Sequence, residues 1–166
     1  MRKTALVLIL IALAGCSSQK PQEGIELAKE CAPIDFTFSV GATEGAAGTS
    51  YTPLIFTYNG SKPCTLQGAP VAQPVSGEAA IGLTSKTNVG EAKAVTLKSG
   101  DKASVLFAVA TAANYTPEEC QVAESNGVNL MFNSPALSAY FSLPTYEVCT
   151  KLQSTLVSPI VAGVDG

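Results

Sequence analysis

Ile34, Phe36, Phe38 and Val40 alternate with Asp35, Thr37 and Ser39, and this period-two rhythm recurs along much of the chain. A repeat of two puts successive side chains on opposite faces, which suits a half-buried β-strand and no helix. "LIFTY" repeats it, with Leu54, Phe56 and Tyr58 on one face. Further strands are expected at Val71–Val75, Ala80–Thr84, Ala94–Leu97, Ala103–Ala110, Val128–Phe132, Ala139–Leu143 and Thr155–Val161. Turn residues separate them: Asn59-Gly60, Gly77-Glu78, Ser99-Gly100-Asp101, Asn126-Gly127 and Pro144. "VTLKSGDKASVLFAV", starting at Val95, reads as two strands joined by a tight turn into an antiparallel pair. The expected helical turn is "PEECQVA", with Pro117 at its start and Glu118 and Glu119 in its first turn. Many short strands with no long helix make an all-β, two-sheet antiparallel sandwich the expected architecture.

The beginning of the chain is different. Met1-Arg2-Lys3 is a short positive start, and Thr4 to Ala14 is almost wholly apolar. That run is about half of what a helix needs to cross a ~30 Å hydrocarbon core, so it reads as an export signal rather than a span. Leu13-Ala14-Gly15-Cys16 resembles the lipobox of bacterial lipoproteins. The resemblance implies a diacylglyceryl group on the Cys16 sulfur, cleavage after Gly15, and often acylation of the new amino terminus. Two or three acyl chains anchor a protein stably where one does not. The expected organisation is a lipoprotein signal peptide at residues 1–15 and a lipidated, flexible tether at residues 16–30. A β-sandwich domain follows at residues 31–163. The expected location is the outer face of the cytoplasmic membrane or the outer membrane.

Export changes the meaning of the remaining cysteines. Cys31, Cys64, Cys120 and Cys149 lack the close pairing of structural zinc ligands, and an oxidising compartment favours disulfides. No metal and no cofactor are expected. Cys31 opens the first strand and Cys64 follows the second, while Cys120 precedes a strand and Cys149 closes a strand pair. This order favours Cys31–Cys64 and Cys120–Cys149. A bridge between the halves, Cys31–Cys120 or Cys64–Cys149, is the competing arrangement.

Composition narrows function by what it lacks. The chain has no histidine, so triads of the Ser-His-Asp or Cys-His type are impossible. Arg2 is the sole arginine, and loss of Arg2 and Lys3 with the leader takes the formal charge from −3 to −5. Such a module is a poor partner for nucleic acid.

Local candidates have structural readings. "GATEGAAG" (Gly41 to Gly48) follows a strand, but another strand and no lysine follow, so it reads as a flexible inter-strand loop rather than a phosphate site. Glu118 and Glu119 read as charges at a helix start. Phe36, Phe38, Phe56, Phe107 and Phe141 belong in a core, leaving Tyr51, Tyr115 and Tyr146 as candidate exposed rings. Asn59-Gly60-Ser61 and Asn114-Tyr115-Thr116 match the glycosylation sequon, which carries little weight in a bacterial lipoprotein.

Residues 54 to 75 include Asn59-Gly60-Ser61, Pro63-Cys64-Thr65-Leu66, Gly68, Pro70 and Val71. This segment resembles a bacterial domain family of unknown function, found in secreted and lipid-anchored proteins, mainly of actinobacteria. The resemblance covers about Cys31 to Val161 and implies an immunoglobulin-like sandwich with no assigned activity. The motif itself reads as structural: Asn59-Gly60 turning with positive φ, Cys64 stapling the next strand, Gly68 and Pro70 bending the chain. The functional expectation is a lipid-anchored envelope protein, held to the membrane through Cys16. Its domain is a non-catalytic binding or structural module for a protein or cell-envelope partner. The alternative is an envelope hydrolase or transferase using carboxylates such as Glu118 and Asp101.

Overall fold

The computed structural model describes residues 29–87, 92–133 and 135–164, and within them the alternating stretches become strands. The lipobox and Cys16 lie outside the described residues. Strand β1 (Lys29–Glu30) leads through a 3-10 turn, Pro33–Asp35, into β2 (Phe36–Val40). Next come β3 (Glu44–Ala46), β4 (Thr49–Tyr58), β5 (Cys64–Leu66), β6 (Val71–Ser76), β7 (Ala79–Ala80), β8 (Lys86–Thr87) and β9 (Val95–Leu97). The long strand β10 (Lys102–Ala110) precedes the helical turn α1 (Pro117–Cys120). The chain then runs through β11 (Val122–Asn133), β12 (Ala136–Cys149), β13 (Thr155–Val157) and β14 (Val161–Ala162).

One large sheet has the order β2-β4-β10-β13-β8, with β3 added to β4 and β14 to β10. The other has the order β12-β11-β6-β7. The alternation decides how they meet. Leu54, Phe56 and Tyr58 all point inward from β4, and the Phe56 ring stands 5.6 Å from Phe141 and 5.7 Å from Phe132 on the opposite sheet. A small third sheet, β1-β5-β9, contributes Leu66 and Leu97 to the same core. The all-β, immunoglobulin-like sandwich is therefore the architecture, with two short parallel pairings, β1–β5 and β8–β13, beside the antiparallel ladders. Lys29 and Glu30, assigned by sequence to the tether, run parallel to Cys64 and Thr65.

Both disulfides join neighbours in sequence, Cys31–Cys64 and Cys120–Cys149. Antiparallel pairing explains them. Phe36 faces Tyr58 across β2 and β4, and Val122 faces Cys149 across β11 and β12, so each ladder brings its two cysteines together at one end. The helical turn starts at Pro117 as expected and carries a capping box, in which the Thr116 N–H donates to the Glu119 carboxylate at 3.3 Å and the Glu119 N–H to the Thr116 hydroxyl at 3.4 Å.

Several expectations need correction. The stretch from Val95 to Val109 is not a hairpin, since β9 pairs with β5 and β10 with β4. The tight turn does exist, with the Asp101 N–H bonded to the Lys98 carbonyl at 2.9 Å, but it passes the chain from one sheet to another. Tyr58 holds it there, accepting from the Gly100 N–H at 2.7 Å and donating to the Asp101 carbonyl at 2.9 Å. In the first strand only Phe36 is fully buried. Ile34 is 92 % exposed within the 3-10 turn that Pro33 starts, and Phe38 and Val40 lie at 36 % and 37 % on the rim of an edge strand. Of the strand expected at Ala80–Thr84 only Ala80 is in one, ending β7, because Gly82 turns the chain at φ +65°, and Ser158-Pro159 interrupts the stretch from Thr155 to Val161.

"GATEGAAG" is an ordered hairpin rather than a flexible loop. Its β3 pairs with β4 through Ala47 and Gly48, both at positive φ (48° and 74°), the geometry of a tight two-residue hairpin turn. Gly60 does not adopt positive φ. It is glycine because a Cβ there would run into the Tyr58 ring. Gly68 does bend the chain, at φ +115°.

Candidate functional site

Pro144 has no N–H to give a ladder, so a strand that contains it must deform. Strand β12 does so at Pro144. Ser125 faces Tyr146 and Gly127 faces Ser142, leaving Leu143, Pro144 and Thr145 opposite Asn126 alone. Such bulges bend a strand and re-aim its side chains. Hydroxyl groups satisfy the irregular backbone. Tyr146 donates to the Gly127 carbonyl at 2.9 Å, and the fully buried Ser125 hydroxyl lies 2.7 Å from the Val75 carbonyl and 3.0 Å from that of Gly127.

The bulged residues Leu143, Pro144 and Thr145 form one wall of a cleft of about 470 Å³, within the ~300–1,000 Å³ range of small-ligand sites. Phe107, Val109, Leu143 and Tyr146 give it an apolar lining, and the Phe107 and Tyr146 rings meet edge to face at 6.0 Å. Thr43, Ser50, Thr52, Thr111 and Thr145 supply hydroxyls, with Thr43 and Thr52 bonded to each other at 2.8 Å. Glu147 is the carboxylate in the lining, and it is exposed. Burial pushes the Tyr146 hydroxyl from its ordinary 10.0 up to about 12, helped by neighbouring Tyr140 and opposed by a hydrogen bond with Ser125. Tyr146 is thus a neutral donor at any physiological pH. The cleft offers an apolar surface, hydroxyls and one negative charge.

The residues singled out in the sequence lie elsewhere or serve the fold. Asp101 accepts the Lys98 N–H at 2.9 Å in its turn, Glu119 closes the cap of α1, and neither these nor Glu118 line the cleft. Among the described residues no group of three or more His, Cys, Asp or Glu side chains could hold a metal ion. Tyr51, Tyr115 and Tyr146 are half-buried rather than exposed. Tyr51 lines a second hollow of about 460 Å³ on the outer side of the large sheet, beside Pro53, Ile55 and Leu106. Tyr115 packs on Ala112 and the Cys120–Cys149 bridge. The exposed tyrosine is Tyr140, at 51 %. Both sequon asparagines are engaged structurally: Asn59 donates to Thr37 and Thr57 at 3.3 Å, and Asn114 to the Gly48 carbonyl at 3.0 Å.

Sequence reasoning missed Thr43, Ser50, Thr52 and Phe107 as cleft residues, because they come from the β2–β3 connection, β4 and β10, which are far apart in the chain. The available signal was Pro144 inside an alternating run. Among the described residues no helix is long and apolar enough to cross a membrane.

No curated protein and no solved structure matches the chain. A family described as a domain of unknown function, DUF4232, matches residues 31–159, and the chain belongs to that family.

Proposed function

We propose that this DUF4232 member is a lipid-anchored cell-envelope protein whose sandwich is a non-catalytic binding or structural module. The lipid anchor is supported by the positive start, the short apolar run and Leu13-Ala14-Gly15-Cys16, after which a tether leads to the domain. Two disulfides suit the oxidising compartment that export would reach. The segment Cys64-Thr65-Leu66 with Gly68 and Pro70, which resembles a family found in secreted and lipid-anchored proteins, accords with a surface lipoprotein.

The observation that carries the binding reading is the cleft under the β12 bulge. It is preformed, apolar beneath, hydroxyl-lined, and holds one carboxylate rather than the opposed pair that acid–base hydrolysis uses. A ligand of neutral or positive charge with an apolar portion suits it.

Two experiments test the proposal. Cys16→Ala is expected to move the protein from the membrane to the soluble fraction and abolish labelling by a palmitate analogue. Retention with lipid attached would overturn the anchor. Crosslinking on intact cells with a photoreactive group at Thr145 is expected to recover a protein or envelope partner. Recovery of none, with a turnover that disappears in Glu118→Gln, would overturn the binding reading.

A further inference from the structure

Sheet edges offer unpaired N–H and C=O groups to any strand that fits, and proteins usually blunt them by shortness, lysine or proline. Most free edges described here are short: β2 has five residues, β9 three, and β1, β7 and β8 two each. Strand β12 is the exception, with fourteen residues and β11 as its only neighbour among the described residues. Pro144 and the bulge disrupt its far end, leaving Ala136 to Ser142 as a regular run.

That run, "ALSAYFS", carries no charge, nor do its ladder partner from Gly127 to Asn133 or the adjacent edge strand β2. The net negative chain therefore presents no like charge along this side. Its one large outward side chain, Tyr140, leans inward over Gly127, where a Cβ would stand 2.6 Å from the ring. Ser138 and Ser142, on the same face as Tyr140, are exposed among the described residues. On the neighbouring edge Phe38, which packs on Phe141 at 5.6 Å, and Val40 are 36 % and 37 % exposed.

We propose that the open edge of β12 pairs antiparallel with the β12 edge of a second copy of this chain. The run is self-complementary about Ala139. A two-fold there sets Ser138 against Tyr140, Leu137 against Phe141 and Ala136 against Ser142, so inward residues meet inward residues and outward meet outward. The two four-stranded sheets become one continuous sheet, and the rim at Phe38 and Val40 gains cover. The pairing uses a different surface from the cleft and does not depend on the binding reading.

The test uses the full chain in detergent, as a mixture of heavy-isotope-labelled and unlabelled protein, with p-benzoylphenylalanine at Ser138. Irradiation at micromolar concentration is expected to give mixed-isotope crosslinks to the peptide holding Tyr140. The double change Ala136→Lys and Ser142→Lys, at two exposed positions that face each other across the proposed pair, is expected to lower their yield roughly tenfold or more through like-charge repulsion, whereas Ser76→Lys leaves it unchanged. Absence of mixed-isotope crosslinks, crosslinks mapping elsewhere, or capture of a different protein at Ser138 in intact cells would each overturn the proposal.

Discussion

Four phenylalanine rings stand 5.4 to 6.0 Å from that of Phe56, those of Phe36, Phe38, Phe132 and Phe141. Around the Cys120–Cys149 bridge, by contrast, the buried company is Ala112, with Tyr115 and Leu152 packed alongside. The middle of the sandwich is held by apolar burial, which scales with the area removed from water. The α1 pole has little area to bury and relies on a covalent link, a capping box and backbone hydrogen bonds. The cleft opens beside the second region, with Ala112 shared between the cleft lining and the small cluster. Its apolar wall belongs to the first region, since Phe107 is part of the main core and Val109, Leu143 and Tyr146 pack on it, so the cleft lies between the two.

The sharpest test of that contrast is Phe56→Ala, expected to cost about 3–5 kcal/mol in urea unfolding. A loss under ~1 kcal/mol would break the claim that the ring cluster dominates the core. Replacing Cys120 and Cys149 together by alanine should cost about 3.5 kcal/mol in the chain-entropy treatment. The loss should be uneven. Amides of Thr150 and Lys151, which bond the Cys120 carbonyl at 2.9 and 3.2 Å, should exchange much faster while those of β4 stay protected. Equal loosening of both regions would erase the distinction. Thr116→Ala removes half of the capping box and should cost about 1 kcal/mol, with the exchange change confined to α1 and the neighbouring β12 end.

The smallest effect concerns Tyr146. Its folded pKa is raised from 10.0 to about 12, so the folded state holds its proton more tightly than the unfolded state. Its contribution is fully present below pH 10 and is lost as pH rises towards 12. Tyr146→Phe should cost about 0.5–1.5 kcal/mol at neutral pH through the lost bond to Gly127, and should flatten part of the alkaline decline in stability. Tyr58 is also raised, by burial and then by the Asp35 carboxylate, and would supply the remainder. An unchanged alkaline profile in Tyr146→Phe would refute the assignment.

Most of the sandwich was legible because the first half of β12 and parts of β4 and β11 alternate, which reports burial on one face, while β10 showed itself as an apolar run with Ala103, Ser104 and Val105 all buried. Pairing was less legible. Nothing in "LKSGDK" shows that Tyr58 will claim Gly100 and Asp101, so a local hairpin was expected where a crossover formed. Ala47 at positive φ was equally hidden, since glycine or asparagine is the usual marker. The disulfides followed from strand order. The cleft did not, because its walls come from β4, β10, β12 and the segments beside them, with Pro144 in one of those walls. Read as the end of a strand, that proline conceals the bulge.

The approach of the chain to the domain has a mechanical consequence. Lys29 and Glu30 align with Cys64 and Thr65, and the Cys31–Cys64 bond follows at once. Tension applied to the chain from its N-terminal side therefore enters at Cys31 and passes through sulfur to Cys64, bypassing the β2–β4 zipper. The chain between them, across a sequence separation of 33, is shielded from pulling while the bond is oxidised. Force–extension records taken from the N-terminal side should release about 110 Å less chain in the oxidised protein than after reduction, and an equal release would show that the force takes another route.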